Sequence, residues 1–233
     1  MSLLNLLILD NEFIFSQLCI EEALLRADTR NWCIINYGSK PAIVMGISGK
    51  PELLINQTKL LSQPIPVIKR FSGGGTVVVD EETIFVTFIL NKEHLNIPLQ
   101  PEVIMKWTEG FYKNVFPQNF TLRENDYVFH EKKFGGNAQY IRKNRLLHHT
   151  SFLWDFTKEN MDYLLLPSKA PNYRNRREHD EFLCKLKNHL PSKDFFIDKI
   201  ISTLSTLSKI NLIKKEEVIH LLEQPHRKAT QIR

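Results

Sequence analysis

Apolar and polar positions repeat with a helical period near the start of the chain and with strand-like patterns in its middle. Ile14, Leu18, Leu24 and Leu25 recur at helical spacing with acidic residues between them, so residues 11–27 are predicted to form an amphipathic helix. Short runs rich in β-branched and aromatic residues predict strands at WCIINY, PAIVMGI, IPVIKR, TVVVD, IFVTFIL, YVF, AQYIR and SFLWDF.

Helical periodicity returns at ELLINQTKLL, at residues 101–115 and, from about residue 178 onward, at EFLCKL, FFIDKIISTLSTL and EEVIHLL. Residues 157–233 are therefore predicted to be mainly helical, within one domain that spans residues 1–233. Because strands dominate the middle and helices the ends, the pattern favours an α+β fold over a regular βαβ alternation.

Composition and charge narrow the class of protein without choosing a partner. A hydrophobic fraction of 42% and a charged fraction of 24% are typical of a globular protein. The net charge of +5 is compatible with a nucleic acid or with an acidic protein partner. Three cysteines without a CxxC motif argue against a disulfide framework or a zinc ribbon, and for a reducing compartment. With no basic signal sequence and no run of roughly 20 apolar residues, a cytoplasmic protein without a membrane span is predicted.

The stretch KRFSGGGTVVVD, residues 69–80, places three glycines between two predicted strands. A glycine run lets successive backbone N–H groups converge on an anion, and Arg70 and Ser72 would add a guanidinium and a hydroxyl donor. The stretch lacks the GK[ST] ending of a Walker A loop and the spacing of a Rossmann fingerprint. A flexible hairpin loop remains the alternative interpretation.

The second candidate stretch, residues 125–155, contains KKFGGNAQ and LHHTSFL. Lys133 precedes Gly135 and Gly136, which permit a tight turn or the close approach of a ligand; an exposed lysine beside a turn is the alternative. His148 and His149 are adjacent on a predicted strand and point to opposite faces, which argues against a shared metal. One histidine is expected to line a site and the other to face outward. Cys184 is interpreted as a core residue or, with His179, as a nucleophile.

The ordered set KRFSGGGTVVVD, KFGGNAQ and LHHTSFL resembles the signatures of the lipoate–protein ligase A family, over about residues 12–156. The resemblance implies a central mixed β-sheet flanked by helices, related to biotin protein ligases and class II synthetases. It implies that lipoate and ATP, with Mg²⁺, give lipoyl-adenylate and pyrophosphate. The lipoyl group then passes to a lysine of an acceptor, either an acyltransferase subunit of a 2-oxoacid dehydrogenase or the glycine-cleavage H protein.

The resemblance also implies roles for individual residues. Lys133 falls on the family's motif lysine and would contact the carbonyl and phosphate oxygens of the acyl-adenylate. Asp126 would bind Mg²⁺ or adenine. The remaining implied binding residues hold the acyl and phosphate end, line the acyl tunnel, lie near the nucleotide or complete the wall: Arg70, Ser72, Gly73, Gly74, Gly75, Val77, Asn125, Gly136, Asn137, Ala138 and His149.

Three positions depart from the family pattern, and they keep alternatives open. Lys69 replaces an arginine, Val79 replaces a histidine, and Thr150 replaces a glycine. Many ligases of the family resembled have a small C-terminal accessory domain, and at 233 residues the chain has little room for one. Three alternatives follow: a partner protein supplies that function, the enzyme works without it, or the enzyme uses a preformed acyl donor. The nearest alternative is an octanoyl or lipoyl transferase that uses acyl carrier protein and a Cys–Lys pair.

Adenylation of biotin, a catalytically inactive scaffold and a nucleic-acid binder are less favoured. The biotin enzymes use an arginine-rich loop of different sequence, which argues against adenylation of biotin. The signature lysine and arginine are retained here, which argues against an inactive scaffold. No zinc finger, RNA-recognition signature or basic stripe interleaved with aromatics is present. The basic patch NYRNRREH is interpreted as a docking site for an acidic lipoyl domain or as a solvated surface.

Overall fold

A computed structural model describes residues 2–116, 119–167 and 170–233, which form two sheets with helices packed against them. The strands are β1 (Leu3–Leu9), β2 (Trp32–Asn36), β3 (Ala42–Met45), β4 (Val67–Lys69), β5 (Val77–Val79), β6 (Thr83–Asn91), β7 (Phe120–Arg123), β8 (Asp126–Phe129), β9 (Lys132–Ile141), β10 (Arg145–Leu153), β11 (Lys209–Ile213) and β12 (Gln231–Ile232). The α-helices are α1 (Ile14–Ala27), α2 (Pro51–Leu54), α3 (Gln57–Ser62), α4 (Lys92–Leu95), α5 (Pro101–Tyr112), α6 (Lys158–Met161), α7 (His179–Phe182) and α8 (Lys193–Leu207).

The larger sheet has eight strands in the order β11-β1-β2-β6-β10-β9-β8-β7. β1 pairs in parallel with both β11 and β2, and the pairings from β2 to β7 are antiparallel, so the sheet is mixed. This confirms the predicted α+β class with a central mixed sheet flanked by helices.

Alternate residues of the larger sheet enter two cores, as the period of two in a strand requires. One face packs against α5 and α8 through side chains such as Phe111 and Phe196, and the other face packs against α1 through side chains such as Leu24. In α5 the apolar residues recur at helical spacing, and Pro101 occupies the first turn, where its missing N–H costs nothing.

The smaller sheet has four strands in the order β12-β4-β3-β5. β3 pairs in parallel with β4 and antiparallel with β5, and β12 pairs antiparallel with β4. β4 and β5 are the strands that enter and leave the glycine loop, so this sheet holds both ends of that loop.

Several sequence predictions about the elements are wrong. No strand was predicted before residue 11, yet Leu3–Leu9 forms β1 inside the larger sheet. Gly135 and Gly136 lie within β9 rather than at a turn. The region 157–233 is less helical than predicted: its long helix is α8, EFLCKL gives one turn of α7, EEVIHLL gives 3₁₀ turns, and β11 and β12 belong to the two sheets.

Within the described ranges, no helix combines the length and the apolar character that crossing a membrane requires.

Candidate active site

A cavity of about 980 Å³ is lined by residues from both sheets. It collects the predicted site residues from four separate parts of the chain: Arg70, Gly73, Gly74, Gly75, Val77, Asn125, Asp126, Lys133, Gly136, Asn137, Ala138 and His149. Ser72 is the exception, because it is 1% exposed and does not line this cavity in the described part of the chain. Ser72 therefore lies behind the loop rather than in the cavity wall.

Arg70 supports the glycine loop from behind instead of presenting a free guanidinium. Its Nη2 donates to the carbonyl oxygens of Gly73 at 3.0 Å and Gly75 at 2.8 Å. Burial lowers the pKa of Arg70 to about 10, and the nearby Glu21 carboxylate opposes that effect, so Arg70 stays charged at neutral pH. The prediction of a free phosphate-binding fork at Arg70 is therefore wrong in this structure.

The three loop glycines have different roles. The Gly73 amide donates to the Gln139 carbonyl at 3.2 Å, so it does not converge on a ligand as predicted. Gly74 has φ +114°, and a Cβ there would lie 2.6 Å from Arg70 Nη2 and 3.0 Å from the Asn137 carbonyl oxygen. Gly75 has open space around the position of a Cβ. Gly74 is thus the glycine that the loop conformation requires.

Lys133 is held at the polar end of the cavity by an ion pair. Its Nζ lies 2.8 Å from Asp126 Oδ1, and the Tyr173 hydroxyl donates to Asp126 Oδ2 at 2.8 Å. Burial and the adjacent Asp126 charge raise the pKa of Tyr173, which stays a hydrogen-bond donor. Asp126 is 5% exposed, whereas the Lys133 side chain keeps 22% of its surface accessible. The lysine is therefore oriented by a fixed carboxylate and remains available to a ligand.

Glycine at position 136 gives the Lys133 side chain its path across β9. A Cβ at Gly136 would lie 3.3 Å from both Cε and Nζ of Lys133, which is tighter than ordinary van der Waals contact. Gly135, by contrast, faces the aromatic core, where a Cβ would lie 3.0 Å from the Tyr127 ring. The two glycines therefore serve close packing on opposite faces of one strand.

The cavity wall also contains a buried polar network around His149. Its Nδ1 lies 3.0 Å from Glu21 Oε1, which also accepts hydrogen bonds at 2.8 Å from the Thr87 hydroxyl and the Gln17 amide. Glu21 is fully buried on α1. Because a carboxylate faces Nδ1, the proton is assigned to that nitrogen, which leaves Nε2 as the nitrogen available to a ligand.

His148 points to the other face of β10, as predicted, but it is buried and does not face outward. It is 0% exposed, and its Nδ1 lies 3.1 Å from the Gln139 amide nitrogen. Burial, with a smaller contribution from His149, lowers the pKa of His148 to about 3, so this histidine is neutral at physiological pH. It is a core residue and not a second ligand.

Apolar side chains form another part of the cavity wall. Ile14, Val44, Val77, Val79 and Phe85 line the cavity and pack in one cluster. The departure at Val79 therefore adds apolar surface where the family has a histidine. The resulting wall fits an aliphatic chain.

The departure at Thr150 is accommodated by Asn137. The Thr150 hydroxyl donates to Asn137 Oδ1 at 2.7 Å, and Asn137 Nδ2 donates to the Asn125 carbonyl at 3.0 Å. The threonine thus orients one of the predicted binding residues. Ala138, at 6% exposure, forms part of the cavity wall beside it.

The site residues do not fit a resident Mg²⁺ at Asp126. One oxygen of that carboxylate contacts Lys133 and the other accepts a hydrogen bond from Tyr173. In the described ranges no cluster of three or more His, Cys, Asp or Glu side chains could complete a coordination shell. Mg²⁺ prefers several oxygen ligands in octahedral geometry.

Cys184 has the environment of an unreactive thiol. Its Sγ donates to the Lys132 carbonyl at 3.4 Å, and burial raises its pKa to about 11. A nucleophilic cysteine must form a thiolate near neutral pH. Cys184 also does not appear among the described residues that line the cavity, although Leu183 does.

Sequence reasoning missed the residues that position the site. Glu21 had a signal, because it is an acid on the apolar face of a predicted helix. Tyr173 and Arg174 had none beyond the basic patch that contains them. His179, considered only as a partner of Cys184, also lines the cavity.

Comparison with known proteins identifies relatives along most of the chain. A Plasmodium falciparum protein named inactive lipoate–protein ligase 2 is 33% identical over 211 residues, which cover 73% of this chain and 54% of that protein. A Mycoplasma pneumoniae protein named "Probable lipoate-protein ligase A" is 28% identical over 184 residues, which cover 75% of this chain and 52% of that protein. The chain thus spans about half the length of these curated relatives.

Solved structures of lipoate–protein ligases share the fold. A structure from an archaeal lipoylation system, described as a bipartite lipoate protein ligase and its E2 lipoyl domain from Thermoplasma acidophilum, gives a TM-score of 0.76 at 17% identity and covers 96% of this chain and 91% of that one. A lipoate-protein ligase A bound with ATP gives a TM-score of 0.74 at 16% identity and covers 95% and 92%. The family model for the lipoyl protein ligase A/B catalytic domain matches residues 14–207 of the sequence, so the chain belongs to that family.

Proposed function

We propose that this chain is the catalytic domain of a lipoate–protein ligase that activates lipoate with ATP and transfers the lipoyl group to a lysine of a lipoyl domain. The observation that carries this proposal is Lys133, oriented by Asp126 and given its path by Gly136, at the polar end of a cavity with an apolar wall. An acyl-adenylate has the matching shape, with an aliphatic chain, a polarised carbonyl and one phosphate.

In the proposed reaction Lys133 stabilises negative charge on the carbonyl and phosphate oxygens. A fixed cation is effective in a partly buried site, because it acts in a low dielectric and needs no reorganisation during attack by the acceptor amine. The loop held by Arg70 closes one side of the site. The apolar wall, which includes Val44 and Phe85, excludes water from the aliphatic part of the lipoyl group. ATP and lipoate are the proposed substrates, with Mg²⁺ as part of Mg-ATP.

The acceptor is proposed to be a lipoyl domain of a 2-oxoacid dehydrogenase subunit or an H protein. The T. acidophilum structure is described as that of a bipartite ligase and its E2 lipoyl domain, which supports this class of partner. A separate accessory subunit is retained as part of the proposal, because that relative is described as bipartite.

A transferase that uses a Cys–Lys pair is less well supported, because Cys184 donates its thiol to a carbonyl and has a raised pKa. The second candidate function is a lipoyl- or nucleotide-binding domain without catalysis. It is favoured by the name of the Plasmodium relative, an inactive ligase that is 33% identical to this chain.

The test is mass spectrometry of a purified apo lipoyl domain after incubation with the protein, lipoate and Mg-ATP. The proposal expects a mass gain of one lipoyl group, and a rate lower by about 10²–10³-fold for Lys133→Ala, as for the loss of one transition-state donor. Lys132→Ala is the matched control, because Lys132 is the exposed neighbour on the same strand. Its rate should equal that of the wild type.

Two further reactions separate the alternatives. A mass gain only with octanoyl-acyl carrier protein and no ATP would replace the ligase by a transferase. A gain only from preformed lipoyl-AMP would restrict this chain to the transfer half of the reaction. No gain from any donor, with lipoate or ATP still bound, would establish the non-catalytic binding domain.

A further inference from the structure

One guanidinium of the basic patch NYRNRREH is buried in the cavity wall and does not lie on the surface. Arg174 ends a 3₁₀ turn, Asn172–Arg174, and is 5% exposed, whereas Arg176 two residues later is exposed. Arg174 lines the same cavity as Lys133, Asp126 and His179. The patch therefore contains one residue that is unsuited to docking a protein surface and well placed to contact a ligand.

The Arg174 side chain is held by a reciprocal pair of hydrogen bonds with Arg177. Nε of Arg174 donates to the Arg177 carbonyl at 2.9 Å, and Nε of Arg177 donates to the Arg174 carbonyl at 3.0 Å. Both guanidinium carbons also lie over the Phe182 ring, at 4.8 Å for Arg174 and 5.4 Å for Arg177. These contacts fix the plane of the Arg174 guanidinium before any ligand arrives.

The backbone adopts an unfavourable conformation to make this arrangement. Asn175 and Arg176 have φ values of +50° and +59°, so two consecutive residues other than glycine are left-handed. Such conformations cost free energy for residues with a Cβ and cluster at functional sites. The turn reverses the chain between the two arginines and allows their reciprocal hydrogen bonds.

The terminal Nη2 of Arg174 is buried and has no hydrogen-bond partner among residues 2–116, 119–167 and 170–233. Two carboxylates, Glu178 and Asp126, are near enough to affect its pKa, but neither accepts a hydrogen bond from this nitrogen. Asp126 already accepts from Lys133 and Tyr173. A buried donor of a charged group is costly to leave unsatisfied, so an acceptor that reached this nitrogen from the cavity would be stabilised.

The charges around this nitrogen indicate an anion as that acceptor. Arg174, Lys133 and His179 all line this cavity, which gives it three basic side chains beside the carboxylates of Asp126 and Glu124. A planar guanidinium with a free terminal nitrogen matches a phosphate oxygen in geometry and charge.

We propose that Arg174 is a phosphate ligand of the nucleotide, acting together with Lys133; this rests on the proposed ligase function. In the activation step a carboxylate oxygen of lipoate bonds to the α-phosphorus while the bond from that phosphorus to the bridging oxygen breaks. The electron pair leaves with pyrophosphate, and no proton or oxidant is required. Arg174 neutralises charge on the α-phosphate or on the departing pyrophosphate.

The test compares calorimetric affinities of wild type, Arg174→Gln and Arg174→Lys for ATP, AMP, pyrophosphate and adenosine, with competition titrations for the weak ligands. Arg174→Gln should raise the Kd for ATP by about tenfold to hundredfold, as expected for losing a hydrogen bond to a charged group. Adenosine affinity should change less than about twofold, because adenosine has no phosphate. Arg176→Gln is the matched control, since it removes an exposed charge at a left-handed position of the same turn.

The four ligands distinguish contact with the α-phosphate from contact with the pyrophosphate leaving group. Equal losses for AMP and ATP assign Arg174 to the α-phosphate, and losses for ATP and pyrophosphate without AMP assign it to the leaving group. An equal loss for adenosine would overturn the proposal and reduce Arg174 to a structural brace. If Arg174→Gln does not fold, Arg174→Lys carries the test, because it keeps the charge and loses the planar fork.

Two outcomes separate this inference from the proposed function. Unchanged ATP affinity in both Arg174 variants, with lipoylation intact in the wild type, would overturn the inference and leave the ligase function standing. Failure of the wild type to bind any of the phosphate probes would overturn the inference together with the ATP-dependent step of the proposed function.

Discussion

Replacing Gly74 by alanine should destabilise the protein far more than replacing its neighbour Gly75. At φ +114° an alanine backbone is strained, which costs about 1–3 kcal/mol. The new Cβ would lie 2.6 Å from Arg70 Nη2, the nitrogen that donates to the Gly73 and Gly75 carbonyls. Displacing that guanidinium forfeits hydrogen bonds of a charged group, worth about 1.5–3 kcal/mol.

The two costs together give a loss of about 2.5–6 kcal/mol in the free energy of unfolding for Gly74→Ala. For a chain of this size that corresponds to a fall of about 5–24 °C in Tm. Urea unfolding followed by circular dichroism and tryptophan fluorescence measures the free energy directly. Relaxation of the loop would bring the value to the lower end of the range.

Gly75→Ala is the control, because no atom lies within 4 Å of the position that its Cβ would take and its φ is not in the left-handed region. Its unfolding free energy should stay within about 1 kcal/mol of the wild type, with a gain where the unfolded chain loses entropy. If the two variants unfold at the same urea concentration, the assignment of Gly74 as the conformationally required glycine is refuted.

Two further predictions concern buried groups outside the loop. His148 has a pKa of about 3 in the folded state, below its unfolded value near 6.5, so the unfolded chain binds the proton first. The stability that neutral His148 contributes is therefore complete above pH ~6.5 and is lost as the pH falls toward 3, by up to about 1.4 kcal/mol per pH unit. The difference in unfolding free energy between wild type and His148→Gln, measured in urea, should shrink from pH 7.5 to 5. A difference that stays constant would contradict this. Glu22 accepts hydrogen bonds from the amides of Ala229 and Thr230 and from the Thr230 hydroxyl. Glu22→Gln should therefore lower the free energy of unfolding by about 2–4 kcal/mol and accelerate amide exchange in β4. Unchanged exchange in β4 would count against a link between Glu22 and that strand.

The period of hydrophobic positions was sufficient to predict the elements with the strongest local signals. α1, α5 and the strands β2 and β6 carry continuous apolar faces and lie close to their predicted ranges, whereas β10 shares only residues 151–153 with the predicted strand SFLWDF. β1 was missed because LLNLLIL is buried on both faces and shows no alternation, as is usual for an interior strand with parallel neighbours.

Local sequence could not predict how the strands divide between two sheets. β2 and β3 are separated by only a few residues, yet β2 pairs with β1 and β6 while β3 pairs with β4 and β5. Pairing depends on contacts between distant segments, which a single sequence does not encode by period. The same reason explains the 3₁₀ turns and strands of residues 209–232, where helical spacing was overridden by tertiary packing.

Most of the candidate site could be predicted from the sequence because its motifs are local, but the residues that position those motifs could not. Lys133, Gly136 and His149 were identified from KFGGNAQ and LHHTSFL, and all three line the cavity. Asp126 was also identified, as a ligand of Mg²⁺ or adenine, but its ion pair with Lys133 was not predicted. The partners Tyr173 and Glu21 come from other elements, at separations that only the folded chain reveals. Arg70 was placed in the right loop with the wrong orientation, since its burial follows from the packing behind that loop.

The strand β12 protects an edge of the smaller sheet. Without Gln231 and Ile232, β4 would present unpaired N–H and C=O groups of Ile68 and Lys69 to solvent. Exposed strand edges of this kind template pairing with other chains. The short strand therefore limits self-association, and a preparation that lacks these residues is expected to form oligomers through β4 even while its larger sheet stays folded.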